Sequence, residues 1–308
     1  MRLPQFRAAL QSPDWQLLDS LGLKEVTTTP GMAPTVQQRR LARTLRKLRE
    51  DAGLTVGEVA KRLETSPSTI SRIETAHVGV RTRDVRELLE IYRVGEGQRA
   101  ELLELARRSR EQPWWYEYRE VPTAELVGFE SDAAFIRQYS ALVLPGLLQT
   151  REYANAVIRA IRHDAGEKEI SQRLELRMHR QELLTRKDAP DIWVVLDEAA
   201  LRRSVGSPAM MREQLQRVID VSVLPNVTIQ VLPFASGPHA GLDGEFTIFS
   251  FSDPADPDLV FIENSGGDLY LESSDRVERY RLIFSHLQAA ALNPVESIRA
   301  LTDVQQHL

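Results

Sequence analysis

The stretch VGEVAKRLETSPSTISRIE, residues 56–74, constrains what this chain can fold into more than any other. Counted from Val56, its fifth residue is Ala60, small enough for two helices to cross nearly in contact. Val59, Leu63, Ile70 and Ile73 hold its fourth, eighth, fifteenth and eighteenth positions, which two short helices must bury to keep a fixed angle. Ser66 and Pro67 open the second helix with a hydroxyl N-cap and a first helical residue that has no N–H to leave unpaired. The spacing predicts a helix-turn-helix. One position departs from it: the ninth, in the turn, where positive φ favours glycine, holds Glu64.

The outward side of the second helix then carries Ser66, Ser68, Thr69 and Arg72. Small hydroxyls at a helix start let its backbone approach base edges, and an arginine one turn on can reach guanine O6 and N7 or a phosphate. The alternative is an ordinary pair of helices with a solvated face. Charge favours the first reading. Residues 36–110 hold 17 Lys and Arg against 11 Asp and Glu, whereas residues 111–308 hold 19 against 30. The net charge of −5 hides this split between a basic module suited to a polyanion and an acidic one.

Around the motif the pattern stays helical. VQQRRLARTLRKLREDAG puts Leu41, Leu45 and Leu48 at helical spacing and stops at Gly53, and RDVRELLEIY and GQRAELLELARRSR follow. Five short helices over residues 36–110 make an all-α module. KLREDAGLTVGEVAKRLETSPSTISRIE resembles the Cro/repressor-type (XRE) helix-turn-helix family over roughly residues 36–95. The resemblance implies double-stranded DNA as partner and a structural ion pair between Arg49 and Glu74. Val56 stands where the family often has a phosphate-touching glutamine, so that contact falls to Thr55 and the helix N-terminus. Arg81 and Arg83, in the loop after the second helix, are expected to touch the DNA backbone or to remain solvated charges.

Residues 111–308 change texture. AFIRQYSALV, DIWVVL, VTIQVLPF, EFTIFSF, DLVFIEN and GDLYLES read as strands, with helices near 150–162, 167–186, 207–222, 274–292 and 294–305. Strands grouped after helices predict an α+β domain with a largely antiparallel sheet, so the chain is expected to be multidomain. Residues 1–35 read as an N-terminal extension, with Met32 a possible true start and a short helix near 13–21 the alternative.

Chemistry is sparse in this second part. The chain has no cysteine, which excludes thiol nucleophiles, disulfides and cysteine-ligated metals and fits a cytoplasmic setting. Its six histidines are scattered without metal-ligand spacing, and no nucleophile elbow, P-loop or H-E-x-x-H occurs. GEGQRA at 95–100 lacks a preceding strand and reads as a turn between helices. Asp197 and Glu198 follow an apolar strand; they read as the start of a helix rather than as catalytic acids. The loop ASGPHAGLDGEF packs His239, Asp243 and Glu245 among glycines, yet brings no nucleophile; it is a turn before a strand, with His239 and Asp243 open to an effector or partner contact. Trp114, Trp115 and Tyr116 either anchor the link between the two parts or take part in a contact. No enzymatic activity and no cofactor is expected.

QPWWYEY, LPGLLQTREYA, VLDEAALRRSVG, QLQRVIDVSVLPNVTIQVLPF, GPHAGLDGEFTIFSF and YLESSDRVERY resemble the C-terminal domain of actinobacterial WhiJ-like, or antitoxin-like, regulators. That resemblance implies a transcription regulator, often encoded beside a small partner protein, with no established catalytic residues. A homodimer is expected, since one such DNA-binding module buries little surface.

Overall fold

In the computed structural model, residues 35–121, 124–253, 256–264 and 267–308 are described, and every structural statement below concerns those residues. The expectations for residues 1–34 lie outside them.

Helices α1 (Val36–Asp51), α2 (Val56–Arg62), α3 (Pro67–Glu74), α4 (Thr82–Ile91) and α5 (Glu96–Arg108) build the first part. Each start has a local cause. Thr35 and Gln38 form a capping box at α1, Thr55 and Glu58 another at α2, and Ser66 caps α3 ahead of Pro67. Gly53, at φ 68°, turns the chain out of α1 without the steric cost a side chain would carry there. Leu41, Leu45, Val59, Ala60, Ile70, Ile73, Val85, Leu88 and Leu89 close one apolar core among the helices.

A 3-10 turn, Trp114–Tyr118, leads into the second part. Trp115 is buried with Val121, Val127 and Leu176, and Trp114 packs edge-on against it and beside His179. These aromatics therefore seat the link on the second part's own helices, α6 (Ala124–Asp132) and α8 (Glu167–Arg180).

The second part is a six-stranded mixed sheet in the order β3-β2-β1-β4-β5-β6. Its strands are β1 (Phe135–Ser140), β2 (Asp191–Asp197), β3 (Val227–Leu232), β4 (Phe246–Ser250), β5 (Leu259–Ile262) and β6 (Leu269–Leu271). β4, β5 and β6 form the antiparallel meander expected from EFTIFSF, DLVFIEN and LYLE, and β4 pairs antiparallel with β1. The expectation of a largely antiparallel sheet needs correction on the other side: β1 pairs parallel with β2, and β2 with β3. Helices between successive strands make this possible, because parallel neighbours need a long crossover. α7 (Arg151–Ile161) and α8 cross from β1 to β2; α9 (Glu198–Arg202) and α10 (Pro208–Val221) cross from β2 to β3.

Both faces of the sheet are covered, which explains why IWVVL is apolar without alternation. Ile136, Ile192, Val194, Leu196, Ile229, Val231 and Phe249 face α6, α7, α10 and α12 (Pro294–Gln306). Tyr139, Val195, Phe246, Ile248 and Val260 face α11 (Ser274–Ala290) through Val277, Phe284 and Leu287. Among the described residues no helix is long and apolar enough to cross a membrane.

Candidate nucleic-acid interface

Four side chains lock α2 against α3. Val59 and Ala60 on α2 and Ile70 and Ile73 on α3 are buried, while Leu63 is partly buried against the same core. Glu64 takes φ 52° in the turn, so this chain places a side chain in the left-handed region where the motif favours glycine.

The start of α3 is open to solvent, and Ser66, Ser68 and Arg72 are exposed. Ser66 Oγ accepts the Thr69 amide at 3.1 Å and lies 2.8 Å from Thr69 Oγ1. Two of the predicted contact hydroxyls thus bond each other, and a base edge or phosphate has to share or replace that bond. Behind α3, His77 N–H donates to the Arg72 carbonyl at 2.8 Å, folding the loop toward Arg81, the exposed N-cap of α4. Arg83, expected in the loop, lies instead in the first turn of α4; it is exposed and 3.6 Å from both Asp84 and Glu87, acids that compete with a phosphate for it.

Thr55 is also committed. The carboxylate of Glu58 accepts from the Thr55 amide and hydroxyl, each at 2.8 Å, and those bonds hold the Glu58 carboxyl below its ordinary range. A phosphate at the N-terminus of α2 would meet that negative charge.

Arg49 and Glu74 hold the end of α1 against the end of α3. Arg49 Nε donates to Glu74 Oε1 at 2.7 Å and Nη2 to Oε2 at 2.9 Å, while Nη1 donates to the Leu54 carbonyl at 2.9 Å. Both side chains are buried, and the hydrogen bonds to Glu74 raise the pKa of Arg49 despite the burial.

The remaining candidates fall into separate places. His239 turns inward: its Nε2 lies 3.3 Å from Asp197 Oδ2, which also accepts from the Tyr139 hydroxyl at 3.2 Å. Its Nδ1 accepts the Gly241 amide at 3.2 Å. Asp197 Oδ1 caps α9 by accepting the Ala199 amide at 2.8 Å, so Asp197 serves as the helix start read from LDEAALRR. Glu245 accepts the Ala141 and Leu142 amides at 2.7 and 2.5 Å and ties the glycine-rich loop to the end of β1. Burial pushes the Glu245 carboxyl up, and those amides oppose it. Asp243 is exposed at the turn, whereas the His239 side chain is mostly covered against Asp197. Trp114 and Trp115 belong to the linker cluster with His179 and Leu176, not to this loop.

The N-terminal half of α1 holds contacts that no motif in the sequence announced. Arg39 pairs with Glu272, Arg40 with Asp253 and Arg43 with Asp256. The Arg39 guanidinium also lies 4.8 Å over the Phe129 ring, and Val36 joins the core of the second part. Only the opposite charge of the two parts hinted at such pairing.

Comparison with known proteins agrees with this division. A family model described as Helix-turn-helix domain matches residues 40–102, the segment that carries α2 and α3. A helix-turn-helix domain is a DNA-binding module. The model described as Domain of unknown function (DUF5753) matches residues 123–303, more than half of the chain. The chain belongs to that family. No curated protein and no solved structure matches it.

Proposed function

We propose that this protein is a sequence-specific DNA-binding transcription regulator in which α3 reads an operator while the second part senses a signal or holds a partner and joins two copies into a homodimer. The observation that carries this reading is the division of α3: Ile70 and Ile73 are buried, whereas Ser66 and Ser68 stand exposed at its start and Arg72 is exposed in its last turn. A helix start presented this way suits entry into the major groove, with Arg72 on a guanine and Ser66, Ser68 and Thr69 beside base edges or phosphates. Arg81, Arg83 and Thr55 would supply phosphate contacts, the last two only by displacing the acids that now hold them. We assign the chain no catalytic step and place it in the cytoplasm.

The test is competition binding of the full chain to its operator and to unrelated duplex. Arg72→Ala should weaken operator binding by about 1–3 kcal/mol and leave unrelated duplex nearly unchanged. Equal loss on both would move Arg72 from base to phosphate, and failure to bind either would reject the function.

A second reading has one observation in its favour. Leu142, Phe234 and Leu242 are exposed at the carboxyl ends of the parallel strands, around the loop that His239 pins. Such side chains suit an antitoxin-like role, binding a small protein encoded next to this one. Co-purification with that neighbour's product, lost in Leu142→Asp with Leu242→Asp, would favour this reading over the first.

A further inference from the structure

The ion pairs on α1 pose a question about charge. Between Val36 and Arg49 the helix carries Arg39, Arg40, Arg43, Arg46, Lys47 and Arg49 and no acid. Arg46 and Arg49 find partners in Glu50 and Glu74 near the helix end. No acid stands at helical spacing from Arg39, Arg40 or Arg43, so any carboxylate that pairs with them comes from another part of the chain. In this structure it comes from Glu272, Asp253 and Asp256, more than 200 residues away.

We propose that Asp253, Asp256 and Glu272 form an internal mask that withholds Arg39, Arg40 and Arg43 from polyanions, and that displacing the mask adds α1 to the DNA-binding surface. The inference rests on the DNA-binding reading above. Along the helix axis these arginines lie close to the end of α3. At a rise of about 1.5 Å per residue, Arg43 and Arg39 lie about 9 and 15 Å along α1 from Arg49, which is tied to the end of α3. That span is about three to four base pairs of duplex, at about 3.4 Å each. One of the contacts is also of a reversible kind. The Arg40 side chain keeps 42% of its surface exposed and Asp253 25%, and a pair so exposed is individually weak and screened by salt. Asp256 is the buried member; burial pushes its carboxyl up, while Arg43 and Arg40 hold it down. Val36 in the core of the second part, Arg39 over the Phe129 ring and the buried Asp256 keep the mask closed in the wild type, so it is neutralising the acids that frees the arginines.

The test compares salt dependence of unrelated-duplex binding in full-length variants. The acid variant Asp253→Asn/Asp256→Asn/Glu272→Gln should steepen the log–log salt slope by about 1–3, close to 0.9 for each phosphate gained. Arg39→Gln/Arg40→Gln/Arg43→Gln should leave the wild-type slope unchanged, because those arginines are already withheld. Neutralising three acids elsewhere, Glu213→Gln/Asp220→Asn/Asp303→Asn, should change the slope less than the acid variant does, which separates the mask from a general gain of positive charge. An unchanged slope in the acid variant overturns the proposal, as does a reduced slope in the arginine variant or an equal gain in the control variant. If the acid variant does not fold, Glu272→Gln alone, at an exposed position, should raise the slope by up to about 0.9, and no rise overturns the proposal. Retention on heparin separates the two readings: if the wild type binds no duplex, the acid variant should still elute at higher salt than the wild type. Equal elution rejects the mask whatever the DNA result.

Discussion

Arg49 meets Glu74 in a two-point contact, Nε to Oε1 at 2.7 Å and Nη2 to Oε2 at 2.9 Å, between the ends of α1 and α3. Both groups are buried, so removing one strands the other's charge away from water. Arg49→Ala should destabilise the helical module by about 3–5 kcal/mol in denaturant unfolding. Replacing both by apolar residues of similar volume should cost much less than either single change. A single change costing under about 1 kcal/mol would mean water reaches the pair.

Glu64 carries the turn of the motif at φ 52°. The left-handed conformation costs a side chain about 1–2 kcal/mol, and glycine in its place loses about 0.5–1 kcal/mol through greater freedom when unfolded. Glu64→Gly should therefore stabilise the module by about 0.5–1 kcal/mol and raise its melting temperature. A loss of stability would show that the Glu64 side chain makes a contribution larger than its strain.

Gly241 lies directly against the Tyr139 ring; a Cβ there would stand 2.5 Å from Cε1 and 3.1 Å from Leu287 Cδ2. Both neighbours are buried and have little room to move. Gly241→Ala should cost about 1–3 kcal/mol and release the loop that His239 and Glu245 hold. Hydrogen exchange at residues 237–244 should quicken in this variant, and unchanged exchange would contradict the close packing.

Asp132 ends α6, with the Val36 amide directed at its carboxyl. Burial, reinforced by Asp256, pushes it up to about 6 from an ordinary 3.8, against the pull of Arg186 and that amide. A carboxyl raised on folding favours the folded state when protonated. Its penalty is absent below about 3.8 and complete above about 6. Stability should thus rise as pH falls through this window, until general acid effects take over. Asp132→Asn should be the more stable form at pH 8 and should flatten this dependence in thermal melts across the window. A less stable Asn variant at pH 8 would mean the ionised carboxylate is favourable.

The motif was legible because its constraints are local: Ala60, the buried Val59, Ile70 and Ile73, and the Ser66 cap all follow from spacing along one stretch. Six strands were legible as apolar runs for the same reason. Their pairing was not, since β1 and β2 lie side by side across a crossover that holds α7 and α8, and nothing local in FIRQYS or DIWVVLD states which neighbour each takes. α6 went unread because AELVGFESD is short and carries a glycine, and its burial is supplied by Trp115 and the sheet. His239 read as a turn residue open to an effector or partner contact; only the fold brings Tyr139 and Asp197 to it. The pairing of Arg43 with Asp256 was equally hidden, because a charge split between two segments does not say which residues meet.

The account stands most directly on selection of bound sequences from a random duplex pool by the full-length chain and by Arg72→Ala. The wild type should enrich one recurring motif, and Arg72→Ala should lose preference at a guanine within it while the rest persists. No enrichment by the wild type, or the same motif at full strength from Arg72→Ala, would contradict the reading of α3 as the element that recognises DNA.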